Sequence, residues 1–280
     1  MPSLILEGGT FRPIFSAGIL DALMDNDVMF PYCIGVSAGI TNGVSYISKQ
    51  KRRNLTILEQ YRNDHRYLGW RNYFKCKSLF GLDFIFDEVP NKINLFDMKT
   101  YREYDGKVLV GVTNADTGKT EYLDGKDLDD KCQMLRATCA IPIFFPPIVV
   151  NGQKYFDGGI CDPIPIRKAI ADGNEKHLIL LTRPKGFKLD LKKKNVWASR
   201  VMKRRYPNLV GGFLNRHELY NETVAFCEEL ERQGKAIILR PTEEQVVESF
   251  EKNVSRLQYS YEEGYKLGLE KLDEIKKLFE

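Results

Sequence analysis

No run in this 280-residue chain approaches the apolar length of a membrane span. No charge of one sign dominates either. Lys and Arg number 42 against 38 Asp and Glu, a net +4 that is too balanced to point to a nucleic-acid partner. The six cysteines (Cys33, Cys76, Cys132, Cys139, Cys161 and Cys227) show no C-x-x-C spacing, and with only three histidines there is no His/Cys cluster. That excludes the familiar zinc patterns and leaves reduced thiols, several in apolar surroundings, as the expectation; no metal or organic cofactor is expected. The Gly-Lys-Ser/Thr ending of a P-loop is missing, and so is G-x-G-x-x-G, which argues against a dinucleotide. Internal repeats and low-complexity linkers are absent, so a single domain over residues 1–280 is the simplest organisation. Its core would span about 3–182, with a C-terminal strand and helices over 215–280 packed on it. The first strand starts almost at once, at Ser3-Leu4-Ile5-Leu6, which leaves no room for a signal peptide and implies a cytoplasmic, reducing location.

A chain that is 43% hydrophobic and 29% charged has ample material for one large core. Short apolar runs at 4–6, 29–36, 178–181 and 236–239 read as buried strands. Between the first two, Phe15, Ile19, Leu20 and Leu23 recur at helical spacing, with Pro13 suited to a first turn. Lys107–Asn114 and Lys119–Leu123 are strand-like around the turn Asp116-Thr117-Gly118. Ile148-Val149-Val150 and Gln153–Phe156 flank Asn151-Gly152, a strong hairpin signal. Helices are expected over Lys49–Tyr67, Asp129–Cys139 and 163–171. The tail from Thr242 reads as helical, with Thr242 and Gln245 as a capping box and Gly264 and Gly268 as interruptions.

The most informative stretch is Tyr32-Cys33-Ile34-Gly35-Val36-Ser37-Ala38-Gly39, a buried strand that turns sharply into a helix at Ser37. Gly35 and Gly39 complete G-x-S-x-G, the nucleophile elbow. A serine there is held above the sheet edge, beside the positive end of a helix. The bare pattern is more often that of an ordinary glycine-rich turn; the strand before it and the helix after it shift the balance to the elbow. Two other turns are ambiguous alone. Glu7-Gly8-Gly9-Thr10-Phe11-Arg12 offers backbone N–H groups to an anion, and Asp157-Gly158-Gly159 ends the second hairpin. Two further segments invite readings. Residues 68–106 are aromatic-rich (Trp70, Tyr73, Phe74, Phe80, Phe84, Phe86) and read either as a lid beside the site or as peripheral packing. Residues 183–205 carry ten Lys or Arg around Trp197, which suits either an anionic membrane surface or a solvated face.

Taken together and in this order, the first glycine turn, Gly35-Val36-Ser37-Ala38-Gly39, Asp157-Gly158-Gly159 and the stretch Cys139–Pro147 resemble the patatin-like phospholipase family, as does Asp162-Pro163-Ile164-Pro165. The resemblance covers about residues 3–182. It implies an α/β fold of three layers, α/β/α, with a mostly parallel central sheet and the elbow early in the chain. It also implies a serine–aspartate dyad, with Ser37 as nucleophile and Asp157 as proton acceptor. Gly8, Gly9, Thr10 and Arg12 would form the oxyanion hole, and Gly35, Gly39, Gly158 and Gly159 would support the turns. The implied activity is hydrolysis of carboxylic esters of phospholipids, lysophospholipids or related acyl lipids. The implied partner is that lipid; the basic segment 183–205 is the candidate contact for an anionic membrane surface, and no nucleic acid or obligate protein partner is expected. Two positions depart from the family's usual turn: Thr10 stands where a third glycine is usual, and Pro13, which has no N–H, where a last one is. They keep a second reading open, a weak or inactive lipid-binding protein on the same fold. An α/β-hydrolase would need a histidine after the elbow. His217 reads as exposed at a polar helix start, and two strands before the elbow read as too few to bury it centrally.

Overall fold

The computed structural model describes residues 1–76 and 78–280. Lys77 lies outside them, as do the side chains of Trp70, Lys75 and Cys76, so the thiol expected at Cys76 and the place of Trp70 in the aromatic segment fall outside the described residues. The first half runs β1 (Pro2–Leu6), α1 (Ile14–Asp25), β2 (Tyr32–Val36), α2 (Ser37–Ile47), α3 (Arg53–Tyr61), α4 (Trp70–Cys76), a π-helical segment (Phe84–Ile93), α5 (Met98–Arg102), β3 (Lys107–Asn114) and β4 (Thr120–Asp124). The second half runs α6 (Gln133–Thr138), β5 (Ile148–Val150), β6 (Gln153–Asp157), α7 (Ile166–Ala171), β7 (Lys176–Leu180), α8 (Lys193–Met202), α9 (Val210–Arg232), β8 (Ala236–Leu239), α10 (Val254–Glu270) and α11 (Leu272–Lys276).

One sheet collects all the strands in the order β5-β6-β3-β2-β1-β7-β8, with β4 on the other edge of β3. The run from β3 to β8 is parallel, with Leu4 opposite both Cys33 and Leu178. The pairings of β4, β5 and β6 are antiparallel. Parallel strands must be covered on both faces, which is why they are continuous apolar runs. Their side chains alternate between two cores. Leu4, Leu6, Cys33, Val110 and Leu180 face Phe15 and Ile19 of α1, with Ile40 and Val44 of α2. Ile5, Ile34, Leu109 and Ile179 face Ile166 of α7, with Tyr220 and Cys227 of α9. The fold is therefore α/β, with helices on both faces of a mostly parallel sheet.

Several elements differ from their expected extents. The second strand begins only at Tyr32, and the helix expected over 129–139 shrinks to Gln133–Thr138, entered from Cys132 at φ +52°. Thr242 and Gln245 make half the capping box: Gln245 Oε1 accepts the Thr242 N–H at 2.9 Å. A turn follows rather than a helix. The helix starts at Val254 behind Asn253, whose Oδ1 accepts the Ser255 N–H at 3.0 Å. Gly264 and Gly268 do not interrupt α10. They sit where its backbone meets α1; a Cβ on Gly264 would come 2.0 Å from the Phe15 carbonyl oxygen. The glycines are a packing seam, indistinguishable in sequence from breakers. Finally, β2 lies in the middle of the sheet although only one strand precedes it, because β3 was added on one side and β7 and β8 on the other. Strand count before the elbow therefore says nothing about its centrality.

Candidate active site

The site forms where β3 changes partners. Up to Gly111, one edge of β3 pairs with β2, ending at Val36; from Val112 the same edge pairs with β6, with Val112 opposite Asp157. The residue after Val36 is Ser37, so the elbow and the end of the β6 hairpin meet at this junction. Ser37 takes φ +52°, the left-handed conformation that points its side chain away from the strand. Its hydroxyl donates to Asp157 Oδ2 at 2.7 Å, across 120 residues of sequence. The other carboxylate oxygen, Oδ1, accepts the Gly159 N–H at 2.7 Å. The Asp157 backbone is anchored as well: its N–H donates to Ala140 O at 3.0 Å, and its carbonyl accepts from Thr113 Oγ1 at 2.9 Å.

The glycines of the three turns are explained by backbone crowding. A Cβ on Gly39 would come 2.5 Å from the Glu7 carbonyl oxygen, and one on Gly158 would come 2.2 Å from that of Gly111. Gly35 packs on Leu6 and Gly8 on Ser37 in the same way. The first turn thus lies directly against the elbow. Within it, Gly9 is extended and Thr10 has φ +58°, a conformation glycine would adopt without strain. The N–H groups of Gly9 and Thr10 donate to no acceptor among the described residues. Arg12 lines a pocket that Ser37 also lines. It donates to Thr182 Oγ1 at 3.3 Å and to Ser249 Oγ, which braces the turn.

Burial and partners set the charges. Removal from water pushes the Asp157 carboxyl up to about 6, opposed by the Ser37 hydroxyl, the Gly159 N–H and the nearby Arg216. Burial likewise holds Glu7 above the usual carboxylate range; one of its oxygens accepts the Thr182 N–H at 2.6 Å. Arg12 is pushed down to about 10 by burial and by Arg183 and Arg216. The Cys139 thiol, beside Ser37, is raised by burial and by Asp157, so it stays protonated.

Several supporting residues were not evident from the pattern of the chain. Thr138 Oγ1 accepts the Ser37 N–H at 2.8 Å and donates to Gly111 O at 2.5 Å, tying the elbow to β3. Arg216 Nε donates to Gly159 O at 2.6 Å and so fixes the Asp157 turn. Thr182 and Ser249 pin the glycine turn. Of these, only Thr138 had a local signal, its place immediately before the Cys139–Pro147 stretch. The three histidines stand apart from Ser37. His177 is buried against Ser3, 2.7 Å from its hydroxyl, and His65 is exposed beside Asp64. His217 lies inside α9 and is only partly exposed, not at an exposed helix start, because the helix begins seven residues earlier.

Two pockets share Ser37, Thr10 and Ile141 in their walls. One is an apolar chamber of about 160 Å³, lined by Phe11, Ile14, Leu58, Phe80, Phe86 and Leu135 among others. Phe80 and Phe86 belong to the aromatic segment, which therefore walls the site rather than packing at the periphery. The second, of about 360 Å³, has a largely apolar wall, with Ile143, Phe144, Trp197 and Phe213, into which Arg12, Arg183, Lys194 and Arg216 are set.

Residues 4–170 match the patatin-like phospholipase family. The chain belongs to that family. Residues 206–280, which hold α9 to α11, match a domain of unknown function, DUF6363. Among curated proteins, the chain is similar to the uncharacterized protein YjjU of Escherichia coli (strain K12), 27% identical over 187 residues, 65% of this chain and 52% of that one. It is also similar to the probable lipid hydrolase 463L of Invertebrate iridescent virus 6, 27% identical over 198 residues, 62% of this chain and 65% of that one. The chain thus spans about half to two thirds of the length of these relatives. Among solved structures, VipD from Legionella pneumophila aligns at a TM-score of 0.47 and 15% identity over 98% of this chain and 67% of that one. Among the described residues of this patatin-like chain, no helix is long and apolar enough to cross a membrane.

Proposed function

We propose that the protein is a serine acyl hydrolase that cleaves carboxylic esters of acyl lipids through a Ser37–Asp157 dyad. The observation that carries the reading is the 2.7 Å hydrogen bond from the Ser37 hydroxyl to a buried carboxylate, beside unspent backbone N–H groups. In the proposed reaction Asp157 takes the hydroxyl proton as Ser37 Oγ attacks the ester carbonyl. The N–H groups of Gly9 and Thr10 hold the oxyanion, where preorganised donors act most strongly. Collapse of the tetrahedral intermediate expels the alcohol, which receives the proton from Asp157. Water, activated by the same carboxylate, then releases the acid and restores Ser37. The apolar chamber, with Phe80 and Phe86 in its wall, suits the acyl chain. Trp197, Phe144 and Phe250, exposed around the second pocket and flanked by Lys192 and Lys194, suit entry from an anionic lipid surface.

The strained Thr10 favours a second reading, a weak or non-catalytic lipid binder. Labelling with a fluorophosphonate probe and turnover of a short-chain p-nitrophenyl ester separate the two. The hydrolase reading expects both in wild type and neither in Ser37→Ala. A folded wild type that does neither would leave the binder.

A further inference from the structure

Resting on that reading, we infer that the second pocket is a subsite for an anionic phosphate carried on the alcohol side of a single-chain acyl ester. The two pockets meet at Ser37 and differ in charge: the first holds one cation, Arg53, and the second holds five. An ester whose carbonyl lies at Ser37 extends its acyl chain one way and its alcohol the other. The apolar chamber accepts the chain, and the remaining pocket is left for the alcohol. Its wall brings together Arg12, Arg183, Lys192, Lys194 and Arg216, from four separate stretches of the chain.

These cations are gathered without matching acids. Some cations elsewhere are paired: Lys107 and Lys168 share Asp172, and Arg240 meets Glu228. None of the five makes an ion pair among the described residues. The carboxylates facing them are Asp157 at the base, Glu7 behind the turn, and exposed Asp190 at the rim. Arg12 and Arg216 use hydrogen bonds to brace the two turns. Arg183 stacks over Phe187, its guanidinium carbon 4.4 Å from the ring centroid, and Lys192 and Lys194 stand exposed. Lys194 is held below the ordinary ammonium range, first by partial desolvation and then by repulsion from Lys192, Arg216, Arg12 and Arg183. A phosphate would relieve that repulsion and accept the free donors, Arg183 in a fork and the lysines as point charges. A zwitterionic head would add a cation to the cluster.

The test is a calorimetric titration of the wild-type protein with dodecyl phosphate, below its micelle concentration, against dodecylphosphocholine and inorganic phosphate. Neither chain ligand carries a carboxylic ester, so binding is read whether or not the protein turns over. The expected result is saturable 1:1 binding that favours dodecyl phosphate over both others. Arg183→Gln and Lys194→Gln should each weaken dodecyl phosphate by about tenfold, the loss of one charge-assisted contact, with a smaller change for dodecylphosphocholine. Equal affinity for the two chain ligands, or equal losses on both in the variants, would overturn the phosphate subsite. Inorganic phosphate binding as tightly as dodecyl phosphate would overturn the joint use of the two pockets. A parallel assay with 1-lauroyl lysophosphatidate and 1-lauroyl lysophosphatidylcholine separates the two levels. Selective binding with no turnover of either would remove the hydrolase and keep the subsite. Turnover of both with equal kcat/KM would remove the subsite and keep the hydrolase.

Discussion

The parallel and antiparallel halves of the sheet are built differently, and the candidate dyad draws one residue from each. The parallel strands β1, β2, β7 and β8 are buried along almost their whole length. The antiparallel strands are half exposed: β5 has no buried residue, and β6 becomes buried only at Tyr155, Phe156 and Asp157. The buried half holds Ser37 in a strained turn between two cores, where rigid packing can sustain a left-handed serine. The exposed half brings in a carboxylate at the buried inner end of a hairpin whose turn, Asn151-Gly152, is exposed. A nucleophile that must stay in a strained geometry and a carboxylate that must be desolvated are thus supplied by different kinds of backbone, joined at one residue step of β3.

That division can be broken from either side. The largest effect is expected at the rigid half. Ser37→Ala should reduce kcat for a p-nitrophenyl ester by roughly 10⁴-fold or more, as loss of a covalent nucleophile does, with unchanged circular dichroism. On the hairpin side, Asp157→Asn should lower kcat/KM by on the order of 10³-fold or more, since the amide cannot take the proton. Its stability should move the opposite way. The folded carboxyl, at about 6, holds its proton more tightly than its ordinary value of 3.8 would. Its contribution to stability is therefore present at low pH and lost as pH rises through about 6. At pH 8 the Asn variant should be the more stable by roughly 1 to 3 kcal/mol in urea unfolding, a gain that fades by pH 4. Wild-type kcat/KM should rise across the same interval as Asp157 ionises. A flat profile with no midpoint near 6 would mean that another group takes the proton.

The joint between the halves is tested next. Thr138→Val removes both the acceptor for the Ser37 N–H and the donor to Gly111 O. A loss of about ten- to a hundredfold in kcat, with KM little changed, is expected for a misplaced nucleophile. Away from the site, Gly264→Ala forces a Cβ onto the Phe15 carbonyl and should lower stability by roughly 1 to 3 kcal/mol in denaturant, with activity per folded molecule retained. The smallest effect is expected at His217→Ala, where retained kcat/KM supports a dyad that needs no histidine; a loss comparable to that of Asp157→Asn would require a third member.

Much of the parallel half was legible because its physics is local. Strands buried on both faces must be apolar runs, Asn151-Gly152 suits a tight hairpin, and G-x-S-x-G records a turn whose flanking residues must be small. The misread features were those whose meaning depends on a distant neighbour. Gly264 and Gly268 look like helix breakers until α1 lies against them. Thr242 and Gln245 look like a helix start, yet a turn and an irregular segment follow. That segment carries Ser249 to the Arg12 side chain, with Arg62 holding the carbonyls of Phe250 and Glu251. His217 looked exposed because its neighbours in sequence are polar, while its half-buried face is set by the packing of α9.

By itself the sequence determined the kind of protein: an α/β chain with an elbow serine, a glycine turn and an Asp-Gly-Gly turn in patatin-like order. Each of those is a short-range requirement on backbone conformation and side-chain size, and short-range requirements leave a mark in consecutive residues. Only the tertiary structure decided that Ser37 meets Asp157, that Thr138 and Arg216 hold the two turns, and that five cations face one pocket beside an apolar chamber. Those arrangements follow from one edge of β3 passing from β2 to β6 and from helices laid over the sheet. Such contacts join residues far apart in the chain, and no local pattern encodes them.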